Sequence, residues 1–182
     1  MSNTYGTWLP GDSRGFRTYH GKHPIPFDYK HRPPKGYYDA LHERSKRLMT
    51  RPAVILRSVE QRRRVLDEVV ASLLRRNISV AVGAVDRIHL HVLVQFVDRN
   101  PRHWIGIAKR ESSHYCKVAG LAPVGGVWSV NCECKPITDE AHFERTLGHI
   151  PDHAKRGAEI YAGTIPNSNP LANFDLNDLL VG

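Results

Sequence analysis

The segment DRIHLHVLVQF, residues 86–96, sets His89 and His91 two positions apart in a run of apolar β-formers. Alternate side chains of a strand share a face, so both imidazoles project to one side while Leu90, Val92 and Val94 project to the other. Two imidazoles on one face can clamp a divalent ion. A second pair, His149 and His153, stands four residues apart in GHIPDH. On a helix these positions stack on one face, beside an apolar stripe of Phe143, Leu147, Ile150 and Ala154. If that helix crosses the sheet face carrying His89 and His91, three or four imidazoles converge. Spacing alone also allows unrelated surface histidines, which a chain with eleven can supply. Cys132 and Cys134 in CEC leave chelation open, but two same-face, half-buried strand residues are the simpler reading. Tyr115, at helical spacing with Ile105, Ala108, Ser112 and Ala119, reads as a core aromatic.

The elements that must position these residues follow from patterning. Residues 1–50 hold five of the twelve prolines and five of the fourteen glycines, which break helix and strand alike. After a short strand at Asn3–Leu9 they read as an irregular basic and aromatic arm, with a short helix near Ala40–Leu48. Ser58 opens a capping box, SVEQ, ahead of Val65, Leu66, Val69, Val70, Leu73 and Leu74 at helical spacing up to Asn77. The arginines near its ends, Arg62, Arg63, Arg64, Arg75 and Arg76, read as a solvated face.

ISVAVGAV and IHLHVLVQF, separated by Asp86 and Arg87, predict a tight antiparallel hairpin. Asn100, Pro101 and Gly120 bracket a second helix over about 101–119. VWSVNCECKPI predicts a fourth strand, and TDEAHFERTLGHIPDHAKRGAEIY a third helix. The order β-α-β-β-α-β, then α, predicts an α+β, ferredoxin-like antiparallel sheet with helices on one face. The expected organisation is one domain over 1–162 and a C-terminal tail over 163–182.

At 182 residues and 41% hydrophobic content the chain suits one globular domain with a real core. Twenty-six Lys and Arg against eighteen Asp and Glu give a net charge of +8, and the pI is about 9.6, which favours polyanionic partners. In the arm, Arg14, Arg17, Lys22, Lys30 and Arg32 can meet phosphates while Tyr and Phe stack on bases. No stretch approaches the ~18 apolar residues of a membrane span. With no signal-like opening and three cysteines, a reducing cytoplasm is the expected compartment.

The His-hydrophobe-His strand in a hairpin after a helix, the opening TYGTWLPGDSRGF, and VWS followed by HAKRGAEIY resemble the HUH single-tyrosine transposases. The nearest branch is the REP-associated one of the small insertion-sequence type. The resemblance covers roughly residues 3–161. It implies a divalent metal, Mg or Mn, held by His89, His91 and His153, and attack by a tyrosine on single-stranded or hairpin DNA through a 5′-phosphotyrosine intermediate.

The nucleophile position falls on His149, where the family pattern resembles Y-I-x-x-H, and Pro151 follows two residues later. Tyr161 resembles an apolar family position. The implied function is a transposase-like DNA-binding protein whose strand cleavage is impaired at His149. The alternative is a catalytically inactive hairpin-DNA-binding regulator. A metal-dependent hydrolase is a third reading, with Asp152 and Glu144 as nearby carboxylates. A homodimer that exchanges its last helix is the remaining partner expectation.

Overall fold

The computed structural model describes residues 1–14, 16, 34–96 and 98–163. Arg17, Lys22, Lys30 and Arg32 of the arm, and the tail beyond Gly163, lie outside the described residues. The elements are β1 (Ser2–Asn3), α1 (Asp39–Arg47), α2 (Val59–Leu74), β2 (Ser79–Val85), β3 (His89–Gln95), α3 (Pro101–Val118), α4 (Glu140–His149), a 3-10 helix (Pro151–Arg156) and β4 (Glu159–Ala162). The strands form one antiparallel sheet in the order β1-β3-β2-β4. Among the described residues no helix is long and apolar enough to cross a membrane.

The capping box is present. Ser58 Oγ accepts from the Gln61 amide at 3.0 Å while Gln61 Oε1 accepts from the Ser58 amide at 3.2 Å, an arrangement whose cap contributes about 1 kcal/mol. The apolar stripe of α2 then buries Val65, Leu66, Val69, Val70 and Leu73. Gly83 of β2 faces this helix, and a Cβ there would lie 3.1 Å from Leu66 Cδ1, so the glycine admits α2 close to the sheet. Asn77 takes a left-handed φ of 57° and turns the chain from α2 into β2.

A bulge between Val80 and Val82 swaps the faces of β2. Val80 and Val85 therefore join Leu90 and the α2–α3 core, with Val92 and Val94 packed against it. Val82, Ala84 and Leu93 face the other way, onto Phe143 and Ile150 of the α4 region. Helices accordingly cover both faces of the sheet, where one face was expected. The second cover is what brings α4 and the 3-10 helix over the His89–His91 face.

Further expectations change. The opening strand is confined to Ser2–Asn3, because Gly6 turns the chain at φ 72°. Residues 127–137 are not a regular strand. They run beside β1 through one bridge, Thr4 with Trp128, and bonds from the Ser129 and Glu133 amides to Asn3 and Met1 oxygens, the short β1 offering no longer ladder. The hairpin loop is three residues, 86–88, with the Asp86 amide donating to His89 O at 3.0 Å.

The third helix breaks in two. Pro151 has no N–H to give the Leu147 carbonyl, so α4 ends at His149 and the chain tightens into a 3-10 turn. Gly157, at φ 78°, reverses it, and Glu159–Ala162 joins the sheet beside β2 instead of continuing the helix. The change of pitch also shifts the buried stripe, so that Ala158 is buried and Ala154 exposed.

The arginines of α2 do not form a free solvated face. Arg62 is buried and donates to the Leu56 and Arg57 carbonyls. Arg63 pairs with Glu159, Arg64 with Glu68, and Arg75 and Arg76 with Glu111 of α3. Tyr115 is exposed on α3, not in the core. Tyr161 packs against the α2–α3 core.

Candidate metal centre

The site is assembled by the β2–β3 hairpin from below and the α4 end from above. Asp86 organises the hairpin side. Its Oδ1 accepts from the Ile88 and His89 amides at 2.7 and 2.6 Å, and its Oδ2 lies 3.3 Å from His89 Nδ1. Burial would raise this carboxyl, but the His89 ring and the two amides outweigh it and hold it at about 2. A carboxylate on Nδ1 keeps the proton there and leaves Nε2 with a free lone pair, the backing that metal-ligating histidines use.

From β3, His91 reaches up to His153 of the 3-10 helix, with ring centroids 4.2 Å apart and planes 35° from parallel. His89 and His91 stand 6.2 Å apart, and His149 lies 5.3 Å from His153, edge to face. Four imidazoles thus form a continuous row, His89–His91–His153–His149, across elements far apart in sequence. Spacing had left convergence and unrelated surface histidines both open, and it assigned His149 and His153 to one α-helix, where the structure puts them on α4 and the 3-10 turn. Ile150, buried at the junction against Leu93 and Ala84, is the residue that seats the 3-10 turn on the sheet.

Burial first, and then His153, push the His91 ring down to about 3. His153, 7% exposed, is lowered by burial and then by His149. Both rings are therefore neutral at ordinary pH, the form that ligates a metal. The Nε2 atom of His153 is buried with no hydrogen-bond partner. A buried ring nitrogen left unpaired costs ~1–3 kcal/mol and calls for a partner.

Neutral imidazoles, a backing carboxylate and an orphaned nitrogen are together the donor chemistry of a divalent ion, so the residues fit one. The side chains as placed do not close around it: among the described residues no group of three His, Cys, Asp or Glu is positioned to hold a metal. The 35° contact between His91 and His153 sets ring against ring.

Sequence reasoning missed one neighbour of the row, Trp8, and gave Arg14 a phosphate instead of the indole it covers. Trp8 lies with its ring 6.0 Å from His89, and the Arg14 guanidinium sits 4.5 Å over the same indole. The opening TYGTWLPGDSRGF therefore belongs to the site. Arg14 is not a free phosphate contact. It pairs with Asp12, whose Oδ1 accepts from Arg14 Nε at 2.8 Å, and it donates to Thr7 O at 2.6 Å. At the other end, His91 and His149 border a cavity of about 360 Å³ walled by Lys135, His142, Arg145 and Ile150.

The tyrosines among the described residues stand elsewhere: Tyr5 under Arg51, Tyr37 and Tyr38 together, Tyr115 beside His114, and Tyr161 on the opposite sheet face. Tyr19 and Tyr29 lie outside the described residues.

No protein-family model, curated protein or solved structure matches the chain.

Proposed function

We propose that this chain is a transposase-like protein of the HUH single-tyrosine type that acts on single-stranded or hairpin DNA at the histidine row. The observation that carries the reading is the buried, unpartnered Nε2 of His153, set against His91 on the face backed by His89 and Asp86. With residues 127–133 counted beside β1, the sheet runs as that segment, β1, β3, β2 and β4, and its first four members follow the ferredoxin-like order, which supports that arrangement. His89, His91 and His153 would hold the ion. A nitrogen-rich set favours Mn²⁺ over Mg²⁺, which prefers oxygen. When bound, it would draw charge from a phosphate oxygen.

The chain's own residues supply the rest. Trp8 presents an indole on which an unpaired base can stack next to His89, and Lys135 and Arg145 bring cations to the cavity at the far end. Asp86 holds the His89 ring in one tautomer. His149 stands where the family resemblance puts a tyrosine, its ring against His153. That substitution favours a second reading, a hairpin-DNA-binding regulator that holds the strand without cutting it.

The two readings part on one experiment. The protein is incubated with a DNA hairpin carrying a single-stranded flank and Mn²⁺, and both intact mass and strand length are read. A cut strand supports the cleaving form, and binding without a cut supports the regulator. Absence of both metal-dependent binding and cutting overturns the proposal.

A further inference from the structure

The second cluster of reactive side chains lies outside the histidine row. Cys132 and Cys134 place their sulfurs 3.7 Å apart, and both side chains are half-exposed. The backbone between them is pinned, because Met1 and Glu133 exchange two bonds of 2.8 Å, amine to carbonyl and amide to carbonyl. Lys109 of α3 reaches the same spot. It is 5% exposed, its ammonium donates to the Val130 and Asn131 carbonyls at 3.3 and 2.9 Å, and the two sulfurs interact with its charge.

We propose that Cys132 and Cys134 form a reversible disulfide, a thiol-oxidation site that reacts with low-molecular-weight disulfides. This does not rest on the DNA reading. The roles of the two thiols differ. Burial pushes the Cys134 thiol up to about 11, so Cys134 keeps its proton, and a sulfur–sulfur hydrogen bond links it to Cys132. The Lys109 cation beside both sulfurs favours a thiolate there, and the burial that keeps Cys134 protonated leaves the attack to Cys132.

In the first step the Cys132 thiolate attacks one sulfur of the reagent, forming a mixed disulfide and expelling one thiolate. Cys134 then gives its proton to that thiolate and attacks Cys132 Sγ, closing the Cys132–Cys134 bond and expelling the second thiolate. Two protein thiols are oxidised, and one disulfide is reduced to two thiols. A bridge between residues two apart closes a small, strained ring, which keeps it reducible. Glu133, Lys135 and Ile137, next to the pair in sequence, line the cavity beside His91.

Cys116 is an internal control, fully buried, with a thiol that burial pushes up to about 11. The reduced full chain is treated with oxidised glutathione, alkylated, and read by intact mass and peptide mapping. The expected result is loss of two hydrogen masses, mapped to the peptide carrying Cys132 and Cys134, reversed by dithiothreitol, with Cys116 unreacted. Cys134→Ser should stop at a glutathione adduct on Cys132, and adding Lys109→Met should slow that adduct several-fold. A lasting glutathione adduct on the wild-type pair overturns the proposal. So does a bridge to Cys116 or to a second chain, and so does no reaction in the folded chain when the urea-unfolded chain reacts.

Discussion

Asp86 Oδ2 lies 3.3 Å from His89 Nδ1 while its Oδ1 takes two amides of the same hairpin, so one carboxylate fixes both the turn and the ring. Asp86→Asn keeps the size and one acceptor but loses the charge that holds the His89 tautomer. Removal of such a backing carboxylate typically weakens a metal 10–100-fold. Calorimetric titration with Mn²⁺ should therefore show about a tenfold weaker site for Asp86→Asn and none for His91→Ala or His153→Ala. Equal affinity in His153→Ala would remove His153 from the ligand set.

The shared face of His89 and His91 and the nearness of His149 to His153 were legible because strand alternation and helical stacking are local rules, whereas the meeting of the two pairs is tertiary and spacing left it open. Both local features survive in the structure even though the helix carrying His153 became a 3-10 turn. The capping box at Ser58 was legible for the same reason. What was not legible depends on partners distant in sequence. Residues 127–137 alternate like a strand, yet β1 is too short to give them a ladder. Arg63 looks like surface charge until Glu159, far along the chain, is seen to pair with it. Gly157 inside the predicted third helix was a readable stop signal, and Glu159–Ala162 beyond it a readable strand. Trp8 gave no spacing signal at all, since its nearness to His89 comes from the fold of the opening loop.

Trp8 and Arg14 should separate stacking from charge. Loss of one base-stacking platform costs ~1–3 kcal/mol, so Trp8→Ala should weaken single-stranded DNA binding about tenfold or more with little change in salt dependence. Arg14→Gln should also leave the salt slope nearly unchanged, because its charge is already paired with Asp12. Each phosphate contact contributes ~0.7 to that slope on single strands. Fluorescence anisotropy at several salt concentrations gives both quantities. A slope that falls by ~0.7 in Arg14→Gln would make Arg14 a phosphate contact after all.

The ion pairs of Glu111 make a pH prediction away from the site. The hydrogen bond from Arg76, with lesser help from Ser72 and Arg75, holds this carboxyl at about 2 against an ordinary 4.5. A folded-state value below the unfolded one means stability that is fully present above pH ~4.5 and lost as pH falls toward 2. Glu111→Gln should cost on the order of 1 kcal/mol at pH 7, the scale of a partly solvent-screened network, and progressively less below pH 4. Urea unfolding of both proteins across this range tests it. A gap that stays constant from pH 7 to pH 3 would show that the arginines do not stabilise the fold through Glu111.

The last prediction concerns the position where the family resemblance asks for a tyrosine and the chain has His149. The wild-type protein should bind hairpin DNA with Mn²⁺ present yet form no phosphotyrosine adduct, since the described tyrosines lie away from the histidine row. His149→Tyr puts a phenol on the last residue of α4, next to His153. The 3-10 turn that begins at Pro151 still fixes the relative placement of the two side chains, so the single change should recover little. Pro151→Ala restores an N–H that can bond the Leu147 carbonyl, lifting a constraint worth ~3 kcal/mol in a helix interior and allowing α4 to run on through His153. In that geometry the introduced phenol and the His153 ring would stack one turn apart, and the double variant should be the one that cuts and carries DNA. Intact mass spectrometry after incubation with hairpin DNA reads the adduct, and tryptic mapping reads its position. An adduct on wild-type His149 would make histidine the nucleophile. One on Tyr19 or Tyr29 would place the attacking group in the arm, and the double change at the α4 end would then be without effect.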